Sequence, residues 1–211
     1  MDILGNREIA NIKTDLLKKT KIDFLYYQNK IKEHQNNAVN WKFATDEMFT
    51  PIPFYHEMNN FEKGRLLKLE TDKLNIVDEA LKRNDYYAFG FSDDGSLIIT
   101  MCRSHCTLYN HTNNEIEYFH IELNNKPSNN KLLSVGVLTA IQDNLQFNVL
   151  VASNVENWSA GIYEYEKNML NKVYMHSKGW IGQVEYRFEY ENDSLKKITA
   201  LTTIDVWKKE E

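Results

Sequence analysis

The chain has 211 residues and a formal net charge of −5, with 30 acidic against 25 basic side chains and a hydrophobic share of 42%. That length suits one large domain or two small ones with a real core. The negative balance argues against direct nucleic-acid binding, which needs clustered Lys and Arg to neutralise phosphates.

Only three prolines occur, so long disordered linkers are not expected. The opening MDILGNREIANIKTD has no apolar run of signal-peptide length, and about 18 uninterrupted apolar residues occur nowhere. The expectation is a cytoplasmic protein that does not engage a membrane.

From about Arg7 to Gln35, Ile9, Ile12, Leu16, Leu17, Phe24, Leu25 and Ile31 recur at helical spacing, which predicts one or two amphipathic helices. An Asn-rich break follows at Asn36–Asn40. The stretch Trp41–Tyr55 carries Pro51 and Pro53 and reads as extended or looped chain, since each proline disfavours helix at the residue before it. Asp72–Arg83, with Leu74, Val77, Ala80 and Leu81 on one stripe, predicts a further short helix.

From Tyr86 the texture changes to strands and turns. Tyr86–Phe91 and Leu97–Arg103 flank Asp93-Asp94-Gly95-Ser96, a hairpin signal because Gly95 supplies the positive φ a tight turn needs. Further strands are predicted at Glu115–Leu123, Leu132–Ile141, Leu145–Ala152, Ala160–Glu166, Leu170–His176, Gln183–Glu191 and Leu195–Trp207, with a loop at Asn124–Asn130.

Two of these units repeat one another at an offset of 25 residues: Tyr163-Glu-Tyr-Glu-Lys-Asn-Met-Leu170-Asn-Lys-Val173 and Phe188-Glu-Tyr-Glu-Asn-Asp-Ser-Leu195-Lys-Lys-Ile198. Each reads as strand, three-residue polar turn and returning strand, a β-hairpin used twice. In the second, Val184, Tyr186, Phe188 and Tyr190 alternate with Glu185, Arg187, Glu189 and Glu191, which predicts one core face and one wet face.

Sequential strands usually pair with their neighbours. The predicted fold is a single α+β domain over residues 1–211. Its mainly helical part (1–85) packs on an extended, curved antiparallel β-meander (86–211).

Candidate chemistry is sparse. Cys102, His105, Cys106 and His111 lie close together, but C-x2-H-C-x4-H matches no common zinc spacing, and strand alternation would put both cysteines on one face with His105 on the other. The two cysteines are expected to be reduced and metal-free. A thiol nucleophile partnered by His56, His120 or His176 lacks the electropositive or helix-N-terminal setting that lowers a cysteine pKa.

No catalytic residue, cofactor or metal is expected. Glu164, Glu166, Glu185, Glu189 and Glu191 read first as a solvated sheet face, and in a continuous sheet they form a candidate acidic recognition surface. Trp158 and Trp180 stand beside turns, where they either fold back to cap the sheet or serve as interaction anchors.

The Tyr-Tyr-Ala-Phe-Gly-Phe-Ser-Asp-Asp-Gly-Ser-Leu-Ile-Ile stretch at 86–99, followed by Tyr-x-Tyr-Glu hairpins with Leu-x-Lys-[Val/Ile] returns, resembles immunity proteins of bacterial polymorphic-toxin systems, including those beside Rhs-type toxins. The likeness covers roughly residues 86–199 and transfers no binding residue. It implies a cytoplasmic antidote that binds one cognate toxin domain by protein–protein contact. An acidic surface suits a nuclease as that toxin, because it can occupy a basic nucleic-acid channel. The rival readings are a β protein enclosing a small ligand in a curved sheet and an enzyme of unrecognised type. Oligomeric state is left open by the sequence.

Overall fold

The computed structural model describes residues 1–68, 77–78, 81–82, 86–180, 182–200 and 205–208. Helix α1 (Arg7–Lys19) starts where the Asn6 Oδ1 accepts from the amides of Glu8 and Ile9, at 3.0 and 3.1 Å, satisfying two of the first-turn donors. Helix α2 (Phe24–Asn37) starts on Asp23 in the same way, through the Leu25 amide at 2.9 Å. Of the helix predicted over Asp72–Arg83, only 77–78 and 81–82 are described; they are helical, with Val77 and Leu81 buried.

Among the described residues, everything else of size is sheet. Strand β1 (Asn40–Ala44) is followed by the five-residue helix α3 (Tyr55–Asn59) and then by β2 (Tyr87–Phe91), β3 (Leu97–Met101), β4 (His105–His111) and β5 (Glu115–Glu122). The chain continues as β6 (Lys131–Thr139), β7 (Leu145–Ala152), β8 (Trp158–Glu166), β9 (Met169–Ser177), β10 (Val184–Glu191), β11 (Ser194–Ala200) and β12 (Asp205–Lys208). All twelve described strands form one antiparallel sheet in chain order. The protein is mostly β, with its helices at the N-terminus.

Three sequence expectations are corrected. β4 is absent from the predicted strands, because its polar positions His105, Thr107 and His111 mask an alternation that buries Cys106 and Leu108. The single strand expected over Leu195–Trp207 is two, β11 and β12, with Ile198 opposite Trp207. The repeated hairpins turn on two residues rather than three: Lys167-Asn168 and Asn192-Asp193 all have positive φ, as does Asp143-Asn144 between β6 and β7. Positive φ at both central residues is the geometry whose twist matches that of the flanking strands.

The repeat extends to its irregularities. A bulge falls between Glu164 and Tyr165 in the first hairpin and between Glu189 and Tyr190 in the second, 25 residues on.

The two faces of the sheet are covered differently. On one, α1 and α2 pack over Ile99, Leu108, Phe119, Val135, Val149 and Ile162. Tyr27, fully buried, lies against Phe119 with ring centroids 5.2 Å apart and donates to the Lys19 carbonyl at 2.7 Å, tying α2 to both α1 and the sheet. Lys19 in turn pairs with Glu117 on β5.

The opposite face is covered by the strap that follows β1. Phe49 sits on Phe89 and Phe91, Phe54 on Phe188, and Ile52 packs against both the Tyr109–Tyr118–Leu138 cluster and the Tyr163–Val173–Phe188 cluster. Gly136 makes room here for a ring: a Cβ at that position would lie 2.1 Å from Tyr118 Cζ.

The alternation read in β10 is as expected, with Phe188 buried in the second cluster and Glu189 exposed. Phe188→Ala will therefore cost about 3–5 kcal/mol in chemical denaturation, and Glu189→Ala about 0.5 kcal/mol or less. Equal losses from both would reverse the assigned faces.

Candidate functional site

The glutamates singled out in the sequence lie on the helix-bearing face of the sheet, beyond the point the helices reach. Glu164 on β8 is cross-strand to Lys172, which is cross-strand to Arg187 on β10. Glu185 lies opposite Tyr174 and holds the Arg187 Nε at 2.6 Å. Glu189 faces Lys197, Glu191 pairs with Lys196 at 3.2 Å, and Glu166 sits at the β8–β9 turn within 3.5 Å of Asn171. The Tyr174 hydroxyl donates to Glu164 at 3.3 Å. The open face of β8–β11 thus carries carboxylates interleaved with Lys172, Arg187 and Lys197.

The two tryptophans differ. Trp158 is half-buried against the helix-face core, with the Lys13 ammonium 4.2 Å from its ring centroid and the His176 ring at 5.2 Å. Trp180 is 45% exposed at the tip of the β9–β10 turn, which is shaped by positive φ at Gly179 and Gly182.

Sequence reasoning missed what stands beside Trp180. Gln183 accepts from the Ile3 amide at 3.2 Å and donates to the Met1 carbonyl, holding the N-terminus against this turn. Met1 and Leu4, which line a small pocket with Gly182 and Gln183 of this turn, are 47% and 64% exposed, and Trp180 belongs to the same turn. Nothing local in the sequence signals a contact between residues 180 positions apart.

At the other end of the same face, a cleft of about 460 Å³ opens between the start of α1 and the β4–β5 and β6–β7 turns. Its charged lining is acidic, from Glu8, Glu115 and Asp143, and another lining residue, Leu145, is the cross-strand neighbour of Glu164. A second cleft, of about 520 Å³, lies under the strap and is lined by Phe49, Pro51, Phe54, His56, Phe91 and His111 among others.

The Cys/His cluster disperses. Cys102 closes the β3–β4 turn rather than continuing a strand, so it does not share an alternating face with Cys106, which is buried in the helix-face core. Both thiols are free, and burial pushes that of Cys106 well up. Among the described residues no three His, Cys, Asp or Glu side chains are grouped to hold a metal ion, and no helix is long and apolar enough to cross a membrane.

His120 takes Thr107 as its partner, Oγ1 to Nδ1 at 2.9 Å. Burial, with a smaller contribution from His105, lowers its pKa from 6.5 to about 4.

Comparison with protein-family models found no match, nor did comparisons with curated proteins and with solved structures.

The His120 geometry sets a pH dependence. Between pH 6.5 and about 4 the unfolded chain binds a proton at this residue that the folded chain refuses, so stability falls as pH drops through that window, by up to about 3 kcal/mol. In denaturant titrations at pH 7 and pH 4.5, His120→Gln should show a smaller acid loss than the wild type. An equal loss would exclude His120 as the source.

Proposed function

We propose that the chain is a non-enzymatic immunity protein of the cytoplasm that neutralises a cognate bacterial toxin domain by binding it. The observation that carries this reading is the β9–β10 turn, which bears the exposed Trp180 and holds the exposed Met1 and Leu4 through Gln183, next to a sheet face that the helices leave open. Exposed apolar groups rimmed by charge are the usual anatomy of a protein contact, with an aromatic anchor excluding water and the rim setting orientation. The acidic cleft at the far end favours a basic toxin surface, and a nuclease domain has one.

The sheet is read as curved. Phe49 and Phe54 are five residues apart, which spans at most about 18 Å, yet their rings lie 5.4 Å from Phe91 on β2 and 5.3 Å from Phe188 on β10. Eight strand steps in a flat sheet cover about 38 Å, which a chain of about 18 Å reaches only with its side chains fully outstretched, and the chain bends at the left-handed Phe54. Curling the strap face inward brings β2 and β10 together and makes the open face of β8–β11 convex, a shape that enters a partner's groove.

A second reading, ligand binding within the curved sheet, is favoured by the cleft under the strap, whose volume of about 520 Å³ suits a small molecule.

The test is co-expression with the toxin domain encoded beside it, scoring survival and complex formation. Trp180→Ala should raise the dissociation rate, since buried anchors act after docking. Glu166→Lys with Glu189→Lys should slow association and reduce its salt sensitivity, since exposed charges steer encounter. No complex with the wild-type chain would remove the immunity assignment. Full protection by all three substitutions together would move the interface elsewhere.

A further inference from the structure

We infer that residues 48–60 form a hinged latch over the aromatic face of the sheet, locked by the buried imidazole of His56 and released by acid. Left-handed backbone at Phe54 (φ 51°) and Asn60 (φ 53°) bounds α3 on both sides, so the short helix turns between two bends. A bulky side chain is rarely found in that region. Phe54 is held there by its ring contact with Phe188, and the closed strap is the conformation that makes this contact.

The lock lies at the base of the strap, where its two ends meet. The Glu47 carbonyl accepts from the His56 Nε2–H at 3.1 Å and from the Gly64 amide, also at 3.1 Å. The approach is close enough that a Cβ on Gly64 would lie 2.3 Å from the Asp46 carbonyl oxygen. Glu57 and Lys63 close the return with an ion pair of 2.7 Å, and the Phe61 amide donates to the His56 carbonyl at 2.9 Å. His56 itself is only 3% exposed.

The groups around the imidazole set the sign. From the entering chain come Asp46 and Glu47, from α3 Tyr55 and Glu57, from the leaving chain Lys63, and across the cleft His111. Burial and Lys63 disfavour the imidazolium, while the Glu47 carbonyl and the carboxylates of Asp46 and Glu57 favour it. Burial is the largest of these, so the pKa of His56 is lowered in the closed state. Opening the latch hydrates the ring and restores its ordinary basicity. Proton uptake is therefore linked to opening, and acid shifts the population toward a form that uncovers Tyr109, Tyr118 and Tyr163.

Residue-resolved hydrogen exchange on the intact chain tests this, with rates corrected for the intrinsic effect of pH. The latch reporters are the amides of Met58, Phe61 and Gly64, which bond to Phe54, His56 and Glu47. Val149, at the centre of the sheet, reports global opening. In the His120→Gln chain, which lacks the global acid loss assigned to that residue, protection at the three reporters should fall several-fold from about pH 7 to about pH 5 while that of Val149 falls less. His56→Gln should flatten the dependence at the reporters. Phe49→Ala, which loosens the strap but keeps the imidazole, should lower their protection at every pH and retain the dependence. Reporters that track Val149 throughout, or a wild-type pH dependence in His56→Gln, would overturn the latch. The effect of His120 is separable because it acts on global stability and so appears at Val149.

Discussion

A twelve-stranded sheet laid down in chain order has two faces to keep from water, and the segment that must cover them is short. At about 4.8 Å per strand the sheet would be about 53 Å across if flat, whereas helices of 13 and 14 residues are each about 20 Å long. Helices of that length, with Val77 and Leu81 joining them in the same cluster, leave part of one face uncovered, and the strap that follows β1 lies on the other. The burial pattern follows. Helix-face core residues run from β1 to β9 and stop at Tyr174, and beyond that point the same face carries Glu185, Arg187 and Glu189. The charged half of the repeat is found where the helices give out.

The strap face meets the shortage in another way. Its floor is rich in tyrosine, and the hydroxyls join one strand to another: Tyr118 to Asn148 at 2.6 Å, Tyr165 to Gln146 at 2.7 Å and Tyr190 to the Leu170 carbonyl at 2.8 Å. A tyrosine brings most of the apolar area of phenylalanine with a polar end that must be satisfied when buried. Here that end fastens β5 to β7, β8 to β7 and β10 to β9. Neighbouring hairpins are thus linked by side chains as well as by the backbone ladder.

How much of this was legible depends on the range of the interaction. The helices, the Gly95 turn and the phase of β10 rest on periodicity and on residues within a few positions, and the sequence carries them openly. The length of the repeated turns is set by φ at Lys167, Asn168, Asn192 and Asp193, residues with no glycine among them to announce a left-handed pair. β4 is hard to read because polar His105, Thr107 and His111 break up the apolar alternation that buries Cys106 and Leu108. The tryptophans show the limit for the site. Trp158 and Trp180 both stand beside turns, yet only the first falls within reach of Lys13 on α1, and no local pattern distinguishes them. The contact of Gln183 with Met1 and Ile3 is of the same kind.

The two faces also differ in how readily they open. The helix face is held by a continuous apolar cluster and by the tie from Tyr27 to the Lys19 carbonyl, so exposing it means losing much of the core. The strap is held by Phe49, Ile52, Phe54 and Met58 on the aromatic floor, by one ion pair and by the His56 imidazole, against backbone that is left-handed at Phe54. Segments with few buried apolar contacts open at a fraction of the global unfolding free energy. The segment that closes this face is therefore held by more local ties than the helices are, and the open face of β8–β11 lies on the other side of the sheet from it.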